Sequence, residues 1–270
     1  MHDSLMARFG GILAAVALCG AGFHPASAQG FGRRSFAPVN LSIENIPYDG
    51  RFTFARLSYT VGGPGNPYYY RGLPPWAHGY DLAERNLMQI LNSLSTAQPR
   101  LETGVVYDVG DPKLFKYPVA YMAEADFWEL SDKDALNLRK YLEKGGFIIF
   151  DDFRDPGRFG GIGWDGFAAN MRRILPQGRV VDLKPTDPIF HSFFEINSFN
   201  ILPQAYDAGP PLLRGIYDDN DPGKRLLAMI NFNTDISDYW EFAAQGRYPV
   251  PQDNEAYKLG VNYLIYSMSH

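Results

Sequence analysis

The fold is decided by one stretch in the middle of the chain, Leu142-Glu143-Lys144-Gly145-Gly146-Phe147-Ile148-Ile149-Phe150-Asp151-Asp152. In order, this stretch predicts a helix end, a tight turn, a buried strand and two carboxylates at the strand's carboxyl end. Ligands of open α/β sheets bind in the crevice beyond the carboxyl ends of the strands. The sequence therefore predicts that any chemistry or binding takes place at Asp151 and Asp152.

Strand and helix patterns alternate on both sides of this stretch. Apolar or alternating runs predict strands at 51–59, 103–109, 118–122, 180–183, 212–217 and 226–230. Helical periodicity and capping signals predict helices over 82–94, 131–145, 165–175 and 254–268. This alternation favours a mainly parallel sheet covered on both faces, with a late hairpin as an antiparallel edge. We predict one three-layer α/β domain over residues 51–270.

The start of the chain has the pattern of an export signal over residues 1–28. Arg8 precedes an apolar stretch from Phe9 to Phe23, and small residues follow at Ala26-Ser27-Ala28. Residues 29–50 mix Gly, Pro, Asn and Ser without periodicity and predict an N-terminal arm or linker. No later stretch reaches the ~20 apolar residues that span a bilayer. We therefore expect a periplasmic or secreted mature chain without a transmembrane segment.

Composition excludes several classes of function. The single cysteine, Cys19, lies in the predicted signal, so disulfides, thiolate metal sites and cysteine nucleophiles are not expected after cleavage. The formal net charge is −5, which argues against nonspecific binding of nucleic acid or of an anionic membrane. No organic cofactor is predicted, while a divalent cation held by carboxylates stays open.

Asp151 and Asp152 are adjacent in a strand, so alternation predicts that their side chains point to opposite faces and do not form a two-carboxylate dyad. One aspartate is expected to face the crevice, with the other bonded to a loop. A third polar group, from Asp155, Asp187, His191 or Asp235, would be needed for acid/base work or cation binding. The alternative is that the pair only holds the following glycine-rich loop in shape.

Other candidate site residues lie farther along the chain. His191 is a candidate general base beside the aspartates, or else a hydrogen-bonded core or loop residue. Asn233 and Asp235 follow the carboxyl end of the 226–230 strand and are candidate ligand-binding residues. In contrast, the Gly161-to-Gly166 match to the dinucleotide fingerprint is rejected, because its first glycine lies too far beyond its strand.

A long aromatic loop precedes the first predicted helix. Its Tyr69, Tyr70 and Trp76 are candidates to stack a sugar ring or to cover the crevice, the alternative being packing over the sheet edge. At the start of that helix, Asp81 and Glu84 fit a capping box and are read as structural. No Gly-x-Ser-x-Gly motif is present, so a serine hydrolase lacks an obvious nucleophile.

Several phrases together resemble one family: Phe52-Thr53-Phe54-Ala55-Arg56-Leu57-Ser58-Tyr59, Asp81-Leu82-Ala83-Glu84-Arg85-Asn86-Leu87, Tyr117-Pro118-Val119-Ala120-Tyr121-Met122, Leu138-Arg139-Lys140-Tyr141-Leu142 with Gly145 to Asp152, and Leu259-Gly260-Val261-Asn262-Tyr263-Leu264-Ile265-Tyr266. They resemble domain-of-unknown-function family 4159 over about residues 50–270. The resemblance implies a flavodoxin-like sandwich similar to the class I glutamine amidotransferase fold.

The same resemblance bears on function. The strand that carries the nucleophile in glutaminases ends here in Asp151-Asp152, so glutamine hydrolysis through a cysteine is ruled out. Related sugar-utilisation proteins carry His-Pro after a later strand, whereas this chain has Asp187-Pro188. Family members also occur as the tail of larger membrane proteins, which implies a role in envelope assembly as much as an enzymatic one.

Three hypotheses follow. The leading one is an exported, non-catalytic domain that binds a small carbohydrate-like ligand or an envelope protein at the strand tips. The second is a hydrolase of carbohydrate-type substrates, in which Asp151 or Asp152 works with His191 or Asp235, with or without a divalent cation. The third is a purely structural interaction module, which an exposed apolar patch would favour.

Overall fold

The computed structural model describes residues 41, 43–62, 69, 72–155, 161–200 and 209–270. The predicted export signal, most of the predicted arm, and Tyr70 lie outside these described residues. The strands are β1 (Ala55–Ser58), β2 (Thr60–Val61), β3 (Val105–Asp108), β4 (Val119–Ala123), β5 (Trp128–Glu129), β6 (Phe147–Phe153), β7 (Val181–Asp182), β8 (Leu212–Tyr217) and β9 (Leu226–Phe232). The helices are α1 (Leu82–Leu94), α2 (Asp132–Glu143), α3 (Gly163–Ile174), α4 (Ile236–Phe242) and α5 (Val250–Ser269).

One mixed sheet organises the described chain. Its strand order is β3-β1-β4-β6-β9-β8-β7, and the first five of these strands are parallel. Strand β8 runs antiparallel to both of its neighbours and forms the predicted hairpin with β9. The mainly parallel sheet with an antiparallel edge is therefore confirmed. Strands β2 and β5 form a separate antiparallel pair.

Helices cover both faces of the sheet. On one face, α2 and α3 bury Leu138, Phe167 and Ile174 against β4 and β6. On the other face, α1, α4 and α5 bury residues such as Leu87 and Trp240. The strand β6 lies between these two layers, and all seven of its residues are buried. No helix among the described residues is both long and apolar enough to cross a membrane.

Local signals account for the turn that precedes β6. Ser131 and Asp134 form the capping box at the start of α2, as predicted for the Ser131 cap. At the other end of α2, Gly145 has a φ of 107°, in the region that favours glycine. The next residue, Gly146, lies against the ring of buried Tyr141, whose hydroxyl donates to the Tyr117 carbonyl at 2.9 Å. The chain thus enters the sheet at a fixed position.

These two glycines give a matched pair of predictions. A Cβ at position 146 would lie 2.4 Å from the Tyr141 ring, whereas a Cβ at position 145 meets nothing within 4 Å. We expect Gly146→Ala to lower the free energy of unfolding by about 3 kcal/mol through overpacking. Gly145→Ala should cost about 1–2 kcal/mol through backbone strain alone. Urea unfolding measures both, and equal losses would contradict the close approach to Tyr141.

Two predicted details are wrong. Asp81 precedes α1 without a side-chain capping bond, and Glu84 instead forms a buried ion pair with Arg56, so the predicted capping box is absent. Helix α4 was not predicted, because it has only seven residues and its polar start was read as a strand end. The first error comes from a tertiary contact that local sequence does not contain, and the second comes from the short length of the helix.

Candidate functional site

Three neighbouring strands end in polar residues with a left-handed backbone. Glu124 follows β4 with φ 48°, Asp152 lies near the end of β6 with φ 57°, and Asn233 follows β9 with φ 60°. Strands β4, β6 and β9 are adjacent and parallel. A non-glycine residue in this conformation costs about 1–2 kcal/mol, and such strain clusters at functional sites. This set of residues, called the strand-tip cluster below, marks the carboxyl edge of the sheet as the candidate site.

The conformation of Asp152 comes from a β-bulge. Phe150 pairs with Ile230 while Phe153 pairs with Phe232, so β6 contains one residue more than β9 over this interval. Phe150 and Phe153 consequently pack on the same side of the sheet, both against the ring of Phe167. The simple strand alternation that we predicted for Asp151 and Asp152 is therefore interrupted by this bulge, and the two carboxylates have different neighbours.

Asp151 is a structural carboxylate. It has no exposed surface, and it accepts hydrogen bonds from the Tyr121 hydroxyl at 3.0 Å and from the backbone N–H groups of Ile236 and Ser237, each at 3.1 Å. Burial raises the pKa of Asp151 to about 6, although these hydrogen bonds oppose the rise. Its role is to connect β6 with the start of α4.

Asp235 caps the same helix from the other side. Its Oδ1 accepts from the Asp238 backbone N–H and from the Ser237 hydroxyl, both at 2.9 Å. Burial raises the pKa of Asp235, and the negative charges of Asp238 and Asp151 raise it further. The first N–H groups of α4 are therefore bonded to protein carboxylates, which leaves this short helix no anion site.

Asp152 lies near Glu124 and within the electrostatic reach of Asp235, the residue that caps α4. It is 7 % exposed. Burial raises the pKa of Asp152 well above its usual range, with additional contributions from the charges of Asp235, Glu124 and Asp151. The positive charge of Arg154 acts in the opposite direction. Of the two adjacent aspartates, this is the one whose carboxylate lies near Glu124.

His78 and Glu124 complete a group of three potential metal ligands. His78 Nδ1 lies 2.6 Å from Glu124 Oε1, and one nitrogen or oxygen from each of His78, Glu124 and Asp152 lies within 4.8 Å of the other two. Glu124 is 8 % exposed, and its Oε2 has no hydrogen-bond partner in the structure. One imidazole and two carboxylates are a donor set that divalent cations use.

A further carboxylate lies two residues beyond Glu124. Asp126 is buried, and its Oδ1 has no hydrogen-bond partner among the described residues. Burial and the negative charge of Glu124 both raise the pKa of Asp126. The Ile162 N–H donates to the Asp126 carbonyl, and a Cβ at Gly161 would lie 2.5 Å from Asp126 Oδ2. The glycine at 161 is thus needed for a close approach to Asp126, consistent with rejecting the dinucleotide motif.

Arg56 holds the backbone of the segment that carries His78 through hydrogen bonds. One guanidinium nitrogen of Arg56 donates to the carbonyls of Trp76 and His78, each at 2.8 Å, while Arg56 Nε pairs with Glu84. Both charged side chains are about 1 % exposed. A buried ion pair between β1 and α1 therefore fixes the backbone position of His78 at the strand tips.

The structure separates the other predicted residues. His191 contacts Glu195 Oε2 at 2.6 Å and the Pro185 carbonyl at 2.7 Å, and Glu195 raises its pKa. Among the described residues, the aspartate pair is not in contact with His191, so the predicted partnership of these groups is not formed. Trp76 is partly buried against the core that α2 and α3 cover. Tyr69 is partly buried as well.

Asn233 does belong to the strand-tip cluster. It is 7 % exposed, its N–H donates to the Phe153 carbonyl at 3.0 Å, and its side-chain Oδ1 has no hydrogen-bond partner. Its Nδ2 lies 3.5 Å from the Pro210 carbonyl. The amide oxygen is thus an additional acceptor at the carboxyl edge of the sheet.

Sequence reasoning missed His78, Glu124 and Asp126. A signal existed for the two acids, because they follow the predicted 118–122 strand as Asp151 and Asp152 follow theirs. The rule that places sites beyond strand ends applies equally to both strands. No comparable signal marked His78, which reaches the cluster from an irregular loop.

A separate cavity of about 420 Å³ lies where α2 and α3 end, and it is lined by residues such as Arg139, Glu143, Gln177 and Asn220. None of the strand-tip carboxylates lines this cavity.

The chain belongs to the family described as Domain of unknown function (DUF4159), whose model matches residues 53–268. This match confirms the family resemblance drawn from the sequence. A search of curated proteins gave no match.

Proposed function

We propose that this chain is an exported, non-glutaminase domain that binds a small, hydroxyl-rich ligand at the carboxyl ends of β4, β6 and β9. The observation that carries the proposal is the strand-tip cluster, in which Glu124, Asp152 and Asn233 each adopt a left-handed backbone at adjacent strand ends. Three such outliers on neighbouring strands are not needed to form a sheet. Their strained backbone supports a functional reason for the orientation of these three side chains.

The sheet order supports the same location. Numbered along the chain, the parallel strands β1, β3, β4, β6 and β9 occur in the spatial order 2-1-3-4-5, which is the flavodoxin-like order. In such sheets, ligands bind where the order reverses, here between β1 and β4. Tyr59, just after β1, donates from its hydroxyl to the Ala123 and Glu124 carbonyls, so the switch point adjoins the cluster. We therefore extend the proposal to a class I amidotransferase-like fold without the cysteine.

The chemistry of the cluster favours a ligand that donates hydrogen bonds. Glu124 Oε2 and Asn233 Oδ1 are buried acceptors that have no hydrogen-bond partner among the described residues. Buried acceptors that lack partners cost about 1–3 kcal/mol each, a cost that a hydroxyl-bearing ligand would remove. The cluster is polar and buried rather than an exposed apolar patch, so a carbohydrate-like ligand suits it better than an envelope protein does.

A hydrolase is the second candidate, and one observation favours it. Asp152 is a carboxyl with a raised pKa beside a second carboxyl, Glu124, which is the arrangement used by general acids paired with a base. In this reading, Asp152 keeps the role that the sequence suggested for one of the two aspartates, and Glu124 takes the partner role suggested for His191 or Asp235. Release of reducing ends from oligosaccharides, abolished in Asp152→Asn, would support the hydrolase over the binding domain.

Ligand screening tests the proposal. We expect at least one sugar or peptidoglycan fragment to raise the melting temperature of the chelator-treated wild type, because it would satisfy the partnerless acceptors. Glu124→Gln and Asp152→Asn should abolish that shift. Asp219→Asn, which changes an exposed acid in the turn between β8 and β9, is the matched control and should keep it. If no compound shifts the wild type, or if the control loses the shift equally, the proposal fails.

A further inference from the structure

We infer that His78, Glu124 and Asp152 together bind one divalent cation of the zinc or manganese type. The inference rests on the proposed function and deepens it, because a cation at this point would supply the contact between the protein and its ligand. The three residues come from a loop and from the ends of two adjacent strands, and their donor atoms lie within 4.8 Å of one another.

The geometry is close to that of a bound site. Ligand atoms about 2.1 Å from a tetrahedral cation lie roughly 3.4 Å from one another. His78 Nδ1 and Glu124 Oε1 lie 2.6 Å apart, so these two atoms must separate by roughly 1 Å to hold a cation between them. The donor set also selects the metal: imidazole suits zinc and its neighbours, while calcium and magnesium prefer oxygen ligands alone.

Charge and burial provide an independent reason. Asp126 is not among the three ligands, yet it is 6 % exposed and its Oδ1 has no hydrogen-bond partner. The charge of Glu124 raises the pKa of Asp126, and the charges of Asp235 and Asp151 raise the pKa of Asp152. Gathering this much negative charge in a buried place is costly unless a cation offsets it. The single positive charge of Arg154 acts on both Asp152 and Asp126. One positive charge does not balance the negative charges of these two acids and Glu124.

The backbone places the ligands in advance. Glu124 and Asp152 are next to the paired residues Ala123 and Asp151 of β4 and β6, and both have positive φ. Arg56 donates a hydrogen bond to the His78 carbonyl and so fixes the backbone of the third ligand residue. Three protein ligands leave at least one coordination position open, as in zinc sites that bind a water or substrate. Hydroxyl or carboxylate oxygens of a ligand are the groups that would take that position.

Metal titration tests the inference directly. The full chain, freed of metal with a chelator, is titrated with Zn²⁺, Mn²⁺, Mg²⁺ and Ca²⁺ by calorimetry and thermal shift. We expect one equivalent of Zn²⁺ or Mn²⁺ to bind and to raise the melting temperature. Loss of an orienting partner alone weakens metal binding about 10–100-fold, so His78→Ala, Glu124→Gln and Asp152→Asn should each weaken it by about 100-fold or more.

A matched control is available elsewhere in the chain. His191 and Glu195 form a histidine–carboxylate pair with the same 2.6 Å contact, but within the part of the chain that the structure describes they do not belong to a three-ligand group. Glu195→Gln should leave the metal affinity unchanged. Glu124→Gln and Asp152→Asn preserve side-chain shape and remove like charges, so their metal-free melting temperatures should not fall, which separates lost binding from misfolding.

Each outcome decides a different claim. If no cation binds the wild type, or if Glu124→Gln and Asp152→Asn bind as tightly as the wild type, the metal inference is overturned. If sugars still shift the chelator-treated protein in an Asp152-dependent way, the proposed ligand site survives that loss. If metal binds as expected while no compound shifts either the metal-free or the metal-loaded protein, the proposed function fails and the metal site stands.

Discussion

Replacing Glu84 with alanine is expected to lower the free energy of unfolding by about 3–5 kcal/mol, because it leaves a buried guanidinium without its counter-charge. Arg56 and Glu84 are each 1 % exposed, so water cannot take the place of the missing carboxylate. The Arg56 guanidinium also lies 5.0 Å from the Tyr121 ring centroid, in the middle of the packed face. The loss should appear in urea unfolding followed by circular dichroism.

A neighbouring ion pair supplies the control. Arg85 in the first turn of α1 pairs at 3.4 Å with Asp81, which directly precedes the helix, but their side chains are 41 % and 34 % exposed. Arg85→Ala should therefore cost no more than about 0.5 kcal/mol. Replacing both Arg56 and Glu84 with leucine should recover much of the stability lost in Glu84→Ala. A Glu84→Ala variant within about 1 kcal/mol of the wild type would show that the pair is not energetically coupled.

The same pair connects stability to the candidate site. Arg56 donates to the carbonyls of Trp76 and His78, so a shift of its guanidinium changes where the His78 imidazole can lie. Removal of Glu84 should accordingly weaken metal binding even though Glu84 is not among the three metal-ligand residues. Restoring stability with the double leucine substitution should not restore the affinity, because the two donors to the loop carbonyls would be missing.

Much of the architecture was predictable because it depends on local signals. Ser131 and Gly145 mark the two ends of α2, and uninterrupted apolar runs predict the central strands. The register of β6 against β9 was not predictable, since the extra residue at Asp152 appears only when both strands are paired. Glu84 looked like a capping residue because its true partner, Arg56, lies on a strand far away in sequence.

The candidate site shows the same division. Sequence placed a site at the carboxyl end of β6 and selected Asp151 and Asp152 without distinguishing them. The distinction depends on α4, whose N–H groups bond Asp151. His78 could not be selected, because contacts with residues far away in sequence, such as Arg56, bring its loop to the strand tips. Local patterns thus predict where strands end, while tertiary contacts decide which side chains remain available.

The two adjacent aspartates should respond to substitution with opposite signs. Asp151→Ala removes the acceptor for the Tyr121 hydroxyl and for two backbone N–H groups, and we expect a loss of about 3 kcal/mol or more. Asp152→Asn removes a charge from a buried acidic cluster and leaves a residue that tolerates a left-handed backbone. We expect it to raise the free energy of unfolding of the metal-free protein by about 1 kcal/mol.

The dependence on pH gives the second prediction its sharpest test. The pKa of Asp152 is higher in the folded state than its ordinary value of about 3.9, so the folded state binds its proton more tightly. Stability from this group is therefore present at low pH and falls as the pH rises above about 4. The gain from Asp152→Asn should be larger at about pH 8 than at about pH 4. Asp151→Ala and Asp152→Asn could instead lower the free energy of unfolding equally at both pH values. Asp152 would then be a structural residue like Asp151, because neutralising a carboxylate that is retained for binding should stabilise the protein.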